Sequence, residues 1–120
     1  MGDETMEHKV TFHIDENARR SLLLGNADNL LRAAADTHVT VAVLANGPAV
    51  LGYALNPAAA DTAAAMAALH KNGVVFAACR NAMKANGLTA EAIMDFVVPV
   101  PAGVVELMER QEQGYCYIKP

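Results

Sequence analysis

Five short strand-like runs, separated by stretches of helical character, constrain this chain more than any other feature of its sequence. Val10, Phe12 and Ile14 alternate with Thr11, His13 and Asp15, and the polar cluster Asp15-Glu16-Asn17 closes the first run. Leu23, Ala27, Leu30, Leu31 and Ala34 then recur at helical spacing, with Gly25 weakening that helix by about 1 kcal/mol relative to Ala. His38–Ala45 is nearly continuously apolar after Thr40, as in a strand covered on both faces, and Asn46-Gly47-Pro48 stops it. A short helical piece is expected around Val50–Leu55. A longer helix is expected from about Ala59 to Asn72, with Ala65, Met66 and Leu69 on one face and Gly73 at its end. Val74–Ala78 is a compact third run, after which Cys79-Arg80-Asn81 opens a helix that Gly87 ends. Thr89 begins a short helix to about Met94, and Asp95–Val98 reads as the fourth strand. Pro101 suits the first turn of a last helix with Val104, Leu107 and Met108 facing inward, and Tyr115–Ile118 forms the fifth strand.

Strands separated by helices need crossover connections, and crossovers of one hand generate a parallel sheet with helices on its faces. The expected fold class is therefore α/β: a three-layer α/β/α domain around a five-stranded, mainly parallel sheet. A chain of 120 residues is one domain by length, and residues 1–8, with three acids and no apolar period, read as a flexible tail before a single domain at 9–120. Hydrophobic residues make up 53% of the chain but aromatics only 5%, so the core must be built from Ala, Leu, Val and Met, with Met66, Met83, Met94 and Met108 as inward filling. Such side chains bury little area each, which makes contact between subunits a further source of stability. Tyr53, Tyr115 and Tyr117 are the aromatics expected to anchor that contact.

Charge and composition exclude several classes. A net charge of -4 with scattered Lys and Arg offers no cationic face for phosphates, so no nucleic-acid partner is expected. The apolar runs are broken before 18 residues accumulate and the first nine residues are polar, so neither a membrane span nor a signal peptide is expected. Two cysteines without a CxxC give no disulfide scaffold, and a cytoplasmic location follows as the expectation. His8, His13, His38 and His70 lack metal spacing, so no metal site is read.

In open parallel sheets ligands bind beyond the carboxyl ends of the strands. Here those loops carry Asp15, Asn46-Gly47, Cys79-Arg80-Asn81 and Pro99-Val100-Pro101. Cys79 is the one nucleophile at a strand-to-helix junction, where a helix amino terminus favours thiolate over thiol, with Arg80 and Lys84 pushing the same way if turned toward the sulfur. The alternative is a small buried hydrophobe that closes the strand. Cys116, inside a strand, reads as a packed core thiol. His13 lies on the face opposite Phe12 near the same edge, where a hydrogen-bonded structural role is the simpler reading. Asp15 and Glu16 suit capping or solvation and would repel an anion at a flavodoxin-like phosphate site. With no GxGxxG or Walker motif, nucleotide or flavin binding is a minor alternative.

The run Lys9–Asp15, the stop Asn46-Gly47-Pro48, the block Gly73–Met83 and the segments Val100–Val104 and Gln113–Pro120 together resemble the DsrE/DsrF-like family, whose fold is called YchN-like. The resemblance covers nearly all of the chain past residue 8. It implies a small cytoplasmic protein that assembles as a trimer or hexamer. In sulfur-relay branches of that family, a cysteine at the end of the third strand takes sulfur from a donor protein as a persulfide and passes it to an acceptor for sulfur oxidation or tRNA thiolation. Cys79 matches that cysteine by position. The resulting expectation is a persulfide carrier that needs no cofactor, with Cys79 as the catalytic residue. Backbone N–H groups near Arg80 and Asn81 would hold the thiolate, and one of those side chains would orient the donor. His13, Asp15, Asn46 and Gly47 complete the expected edge site. The rival expectation is a non-catalytic, oligomeric small-ligand-binding module in which Cys79 is structural.

Overall fold

A computed structural model describes residues 7–120 of the chain. Strands β1 (Glu7–Ile14), β2 (His38–Ala45), β3 (Val75–Cys79), β4 (Val98–Val100) and β5 (Cys116–Ile118) form one sheet. Its order is β4-β3-β2-β1-β5, and every neighbouring pair is parallel. Four helices, α1 (Arg20–Ala33), α2 (Ala60–Lys71), α3 (Arg80–Ala85) and α4 (Gly103–Glu112), flank it. Most of the expected tail, residues 1–6, lies outside the described residues, while Glu7 and His8 already belong to β1.

The strand order explains how the helices are shared between the two faces. From β1 to β4 the chain steps across the sheet in one direction, so right-handed crossovers place their helices on one face. The return from β4 to β5 runs the other way and lays α4 across the opposite face, over β1 and β2. The first face holds the main core, in which Phe12, Ile14, Val41, Val43 and Phe76 of the strands pack with Leu23, Met66 and Met83 of the helices. Each such side chain contributes about 1.5–3 kcal/mol on full burial. The second face has a small core of Leu44, Ala77 and Leu107, with Val100 at its margin.

Several expectations shift against this frame. The fourth strand is Val98–Val100 rather than Asp95–Val98. Asp95 and Phe96 form a turn, closed by Val97 N–H donating to Met94 O, and the Phe96 ring leaves the strand to stack on His70 at 4.9 Å. Pro99 sits within β4, which is tolerated because β4 is an edge strand paired only to β3. Pro101 precedes the last helix instead of opening it, and Ala102 is the residue that caps α4. Of the three apolar residues assigned to the inner face of α4, only Leu107 is buried, while Val104 is 69% and Met108 50% exposed. Cys116 is exposed rather than packed, because β5 is the other edge strand. Tyr53 is fully buried, its hydroxyl donating to Ala77 O at 3.1 Å, and so it cannot anchor a subunit contact.

Candidate functional site

The carboxyl edge of the sheet is where the expected site residues meet. Loops after β1, β2 and β3 all turn toward the main core, whereas the loop after β4 turns to the opposite face and starts α4. The neighbouring strands β3 and β4 are therefore the place where connections diverge, the position at which open parallel sheets commonly bind ligands. Cys79 is the last residue of β3, paired with Val100 of β4, and it also caps the six-residue helix α3.

The start of α4 closes on this point. Gly103, its first residue, packs so tightly that a Cβ there would lie 3.1 Å from Leu44 Cδ1, 3.2 Å from Asn46 Cβ and 3.3 Å from Cys79 Cβ. Absence of a side chain at Gly103 is what lets the α4 amino terminus approach the ends of β2 and β3 together. First-turn N–H groups of a helix have no intrahelical partner, so this approach brings unspent donors and the positive end of a ten-residue helix to the edge that holds Cys79. Cys79 itself is only 7% exposed.

A polar wall runs from Cys79 toward β5. His13 Nε2 lies 2.8 Å from Asn46 Oδ1, and His13 Nδ1 lies 2.6 Å from the Tyr117 hydroxyl. The amide oxygen of Asn46 can only accept, so Nε2–H donates to it, and Nδ1 meets the Tyr117 hydroxyl. Tyr117 is 41% exposed, so the chain of three ends at solvent. Asp15 turns to β5, where Lys119 Nζ approaches its carboxylate at 3.3 Å, and the Gly47 backbone lies close to Asp15 O.

Only part of the expected set of residues meets at this edge. Cys79, Asn46 and His13 come together around Gly103 and Tyr117. Arg80 and Asn81 are exposed on the first turn of α3 and make no side-chain hydrogen bond among the described residues, and Lys84 is exposed as well. Gly103, Tyr117 and Lys119 were not expected at the site. A small residue just after Pro101-Ala102 at a helix start was the available signal for Gly103. Tyr117 and Lys119 carried none, because strand order decides that β5 lies beside β1. Among the described residues, no group of three or more His, Cys, Asp or Glu is placed to hold a metal, and no helix is long and apolar enough to cross a membrane.

Comparison with known proteins places this architecture. The model of the DsrE/DsrF-like family matches residues 8–120. The chain belongs to the DsrE/DsrF-like family. Among solved structures, this family member is similar to MTH1491 of Methanobacterium thermoautotrophicum, described as a protein of unknown function. The TM-score is 0.83 at 30% identity, over 94% of this chain and 99% of that one. It also shares the fold of the ychN protein of E. coli, with a TM-score of 0.67 at 14% identity over 96% of this chain and 100% of that one. No curated protein matches it.

Proposed function

We propose that this DsrE/DsrF-like protein is a cytoplasmic sulfur carrier, in which Cys79 takes sulfur as a persulfide from a donor protein and hands it to an acceptor. The observation that supports this most directly is the position of Cys79. It ends β3 where the β3 and β4 connections part, against the amino terminus of α4 and beside the His13-Asn46-Tyr117 wall. In the loading step the Cys79 sulfur attacks the outer sulfur of a donor persulfide, R–S–SH. A new S–S bond forms as the donor's S–S bond breaks, R–SH departs, and Cys79–S–SH remains. Unloading repeats the exchange with the acceptor thiol as attacker. No metal, oxidant or organic cofactor enters either step.

Assembly into a homo-oligomer, a trimer or hexamer, belongs to the same proposal. Its support is the outer surface of α4, where Val104, Val105 and Met108 are exposed side by side at helical spacing, with Tyr117 exposed at the same face of the sheet.

Intact-mass measurement after incubation with a persulfide donor tests the carrier reading. Cys116→Ser, whose one cysteine is Cys79, should gain one sulfur atom, and the double variant Cys79→Ser/Cys116→Ser should gain none. The 7% exposure of Cys79 favours the rival reading, a ligand-binding module with a structural thiol. On that reading Cys79 gains no sulfur under conditions that load other accessible thiols.

A further inference from the structure

Arg20 is the least expected residue of the core. It opens α1 and is 5% exposed, yet none of the ion pairs formed by the described residues includes it. Its guanidinium has five N–H donors. Nη2 donates to Ala49 O at 2.5 Å and to Asn17 Oδ1 at 3.2 Å, and Nη1 faces Met66 Sδ at 3.7 Å. Nε is buried without a hydrogen-bond partner. The Tyr53 ring, 5.3 Å away, offers a π face but no formal charge. Burial lowers the pKa of Arg20, an effect that Tyr53 partly offsets, and an isolated buried cation is costly unless something anionic meets it.

The surroundings supply a place for that anion. A cavity of about 280 Å³ opens over Arg20, lined by Asn17, Ser21, Gly52, Asn56 and Thr62. Its lining contains no carboxylate. Ser21 lies in the first turn of the 14-residue helix α1 and Thr62 in the first turn of the 12-residue helix α2, each helix running on from a 3-10 turn, so the positive ends of two helical stretches border one polar hollow. Gly52 forms a wall of bare backbone, since a Cβ there would run into the Arg20 guanidinium. The acids that argued against an anion after β1 are placed elsewhere: Asp15 pairs with Lys119 on the β5 side, and Glu16 is outside the lining. A liquid water takes about 30 Å³, so the hollow has room for an oxyanion and part of a group bearing it.

We infer that the Arg20 hollow is a binding site for a tetrahedral oxyanion, either a free ion such as phosphate or sulfate or the phosphoryl end of a small molecule. The guanidinium and the Ser21 and Thr62 hydroxyls are its donors. The site is separate from Cys79 and does not depend on the carrier reading.

Backbone amide NMR of the full chain tests it, by titrating inorganic phosphate, sulfate and glycerol 3-phosphate at constant ionic strength against chloride. The expected result is saturable shifts at Ser21, Gly52 and Thr62, kept in Cys79→Ser. Tighter binding of the phosphomonoester than of phosphate identifies a phosphoryl-bearing molecule, and equal or weaker binding identifies the free ion. Arg20→Gln should abolish the response. Because that change also strips a buried contact, Thr62→Glu is the second variant: it sets a carboxylate at a helix amino terminus, where it is tolerated, and should weaken phosphate roughly tenfold or more. Shifts that stay linear in concentration, that chloride reproduces, or that persist unchanged in folded Thr62→Glu would overturn the site.

Discussion

Tyr53 shows how one side chain can tie sequence, packing and pH together in this protein. Its ring is wholly buried, edge-on to Phe76 at 6.2 Å, and its hydroxyl donates to the β3 backbone. Burial raises its pKa above the usual phenol value, an effect that nearby Arg20 partly counters. The unfolded chain therefore loses this proton first as pH rises, binding fewer protons than the native state. The stability tied to neutral Tyr53 is complete below about pH 10 and declines above it. Denaturant unfolding of Tyr53→Phe should show a loss of about 0.5–1.5 kcal/mol at neutral pH from the missing hydrogen bond to Ala77 O. The variant should also lose stability less steeply than wild type above pH 10. The sequence suggests a surface anchor at Tyr53 because an aromatic in a loop gives no sign of its depth. Only the packing of the 3-10 segment Gly47–Tyr53 against the ends of the strands sets that. Arg20 was equally illegible, since nothing local distinguishes a buried arginine from its exposed neighbour Arg19.

Legibility among the elements follows how much local signal each one carries. The bounds of β2, His38–Ala45, are legible in the sequence because a central strand covered on both faces is apolar nearly throughout. β3 was displaced by one residue, which matters only for whether Cys79 ends the strand or begins the helix. β4 lies outside its expected bounds because Asp95-Phe96-Val97 looks more strand-like than Val98-Pro99-Val100, and the edge position that excuses Pro99 is a property of the whole sheet. α4 was recognised as amphipathic, but its apolar residues are divided between two sides. Leu107 faces the sheet, whereas Val104 and Met108 face outward. Leu107→Ala should therefore cost about 2–5 kcal/mol in equilibrium unfolding, since it empties most of the second core. Met108→Ala in a dilute monomer should stay within about 0.5 kcal/mol of wild type. Equal losses at the two positions would show that the outward face of α4 is covered.

For the molecule as a whole, the asymmetry of the two faces is the organising fact. One face carries three helices and nearly all of the core, while the other carries a single helix with apolar residues left outside. That surface is the predicted contact between copies. Sedimentation analysis should find a trimer or hexamer that Met108→Glu together with Val104→Lys dissociates into folded monomers; a wild-type monomer at high concentration would contradict it. The same asymmetry sends the chain after β4 to the far face and brings Gly103 against Cys79, so the architecture and the candidate site have one origin. A sulfur acceptor at that junction must be reachable in the folded protein. The decisive measurement is the iodoacetamide alkylation rate of Cys79 in folded Cys116→Ser at neutral pH, compared with the same chain unfolded in denaturant. The carrier account predicts that the folded protein is modified at least as fast as the unfolded one; alkylation that waits for unfolding would contradict it.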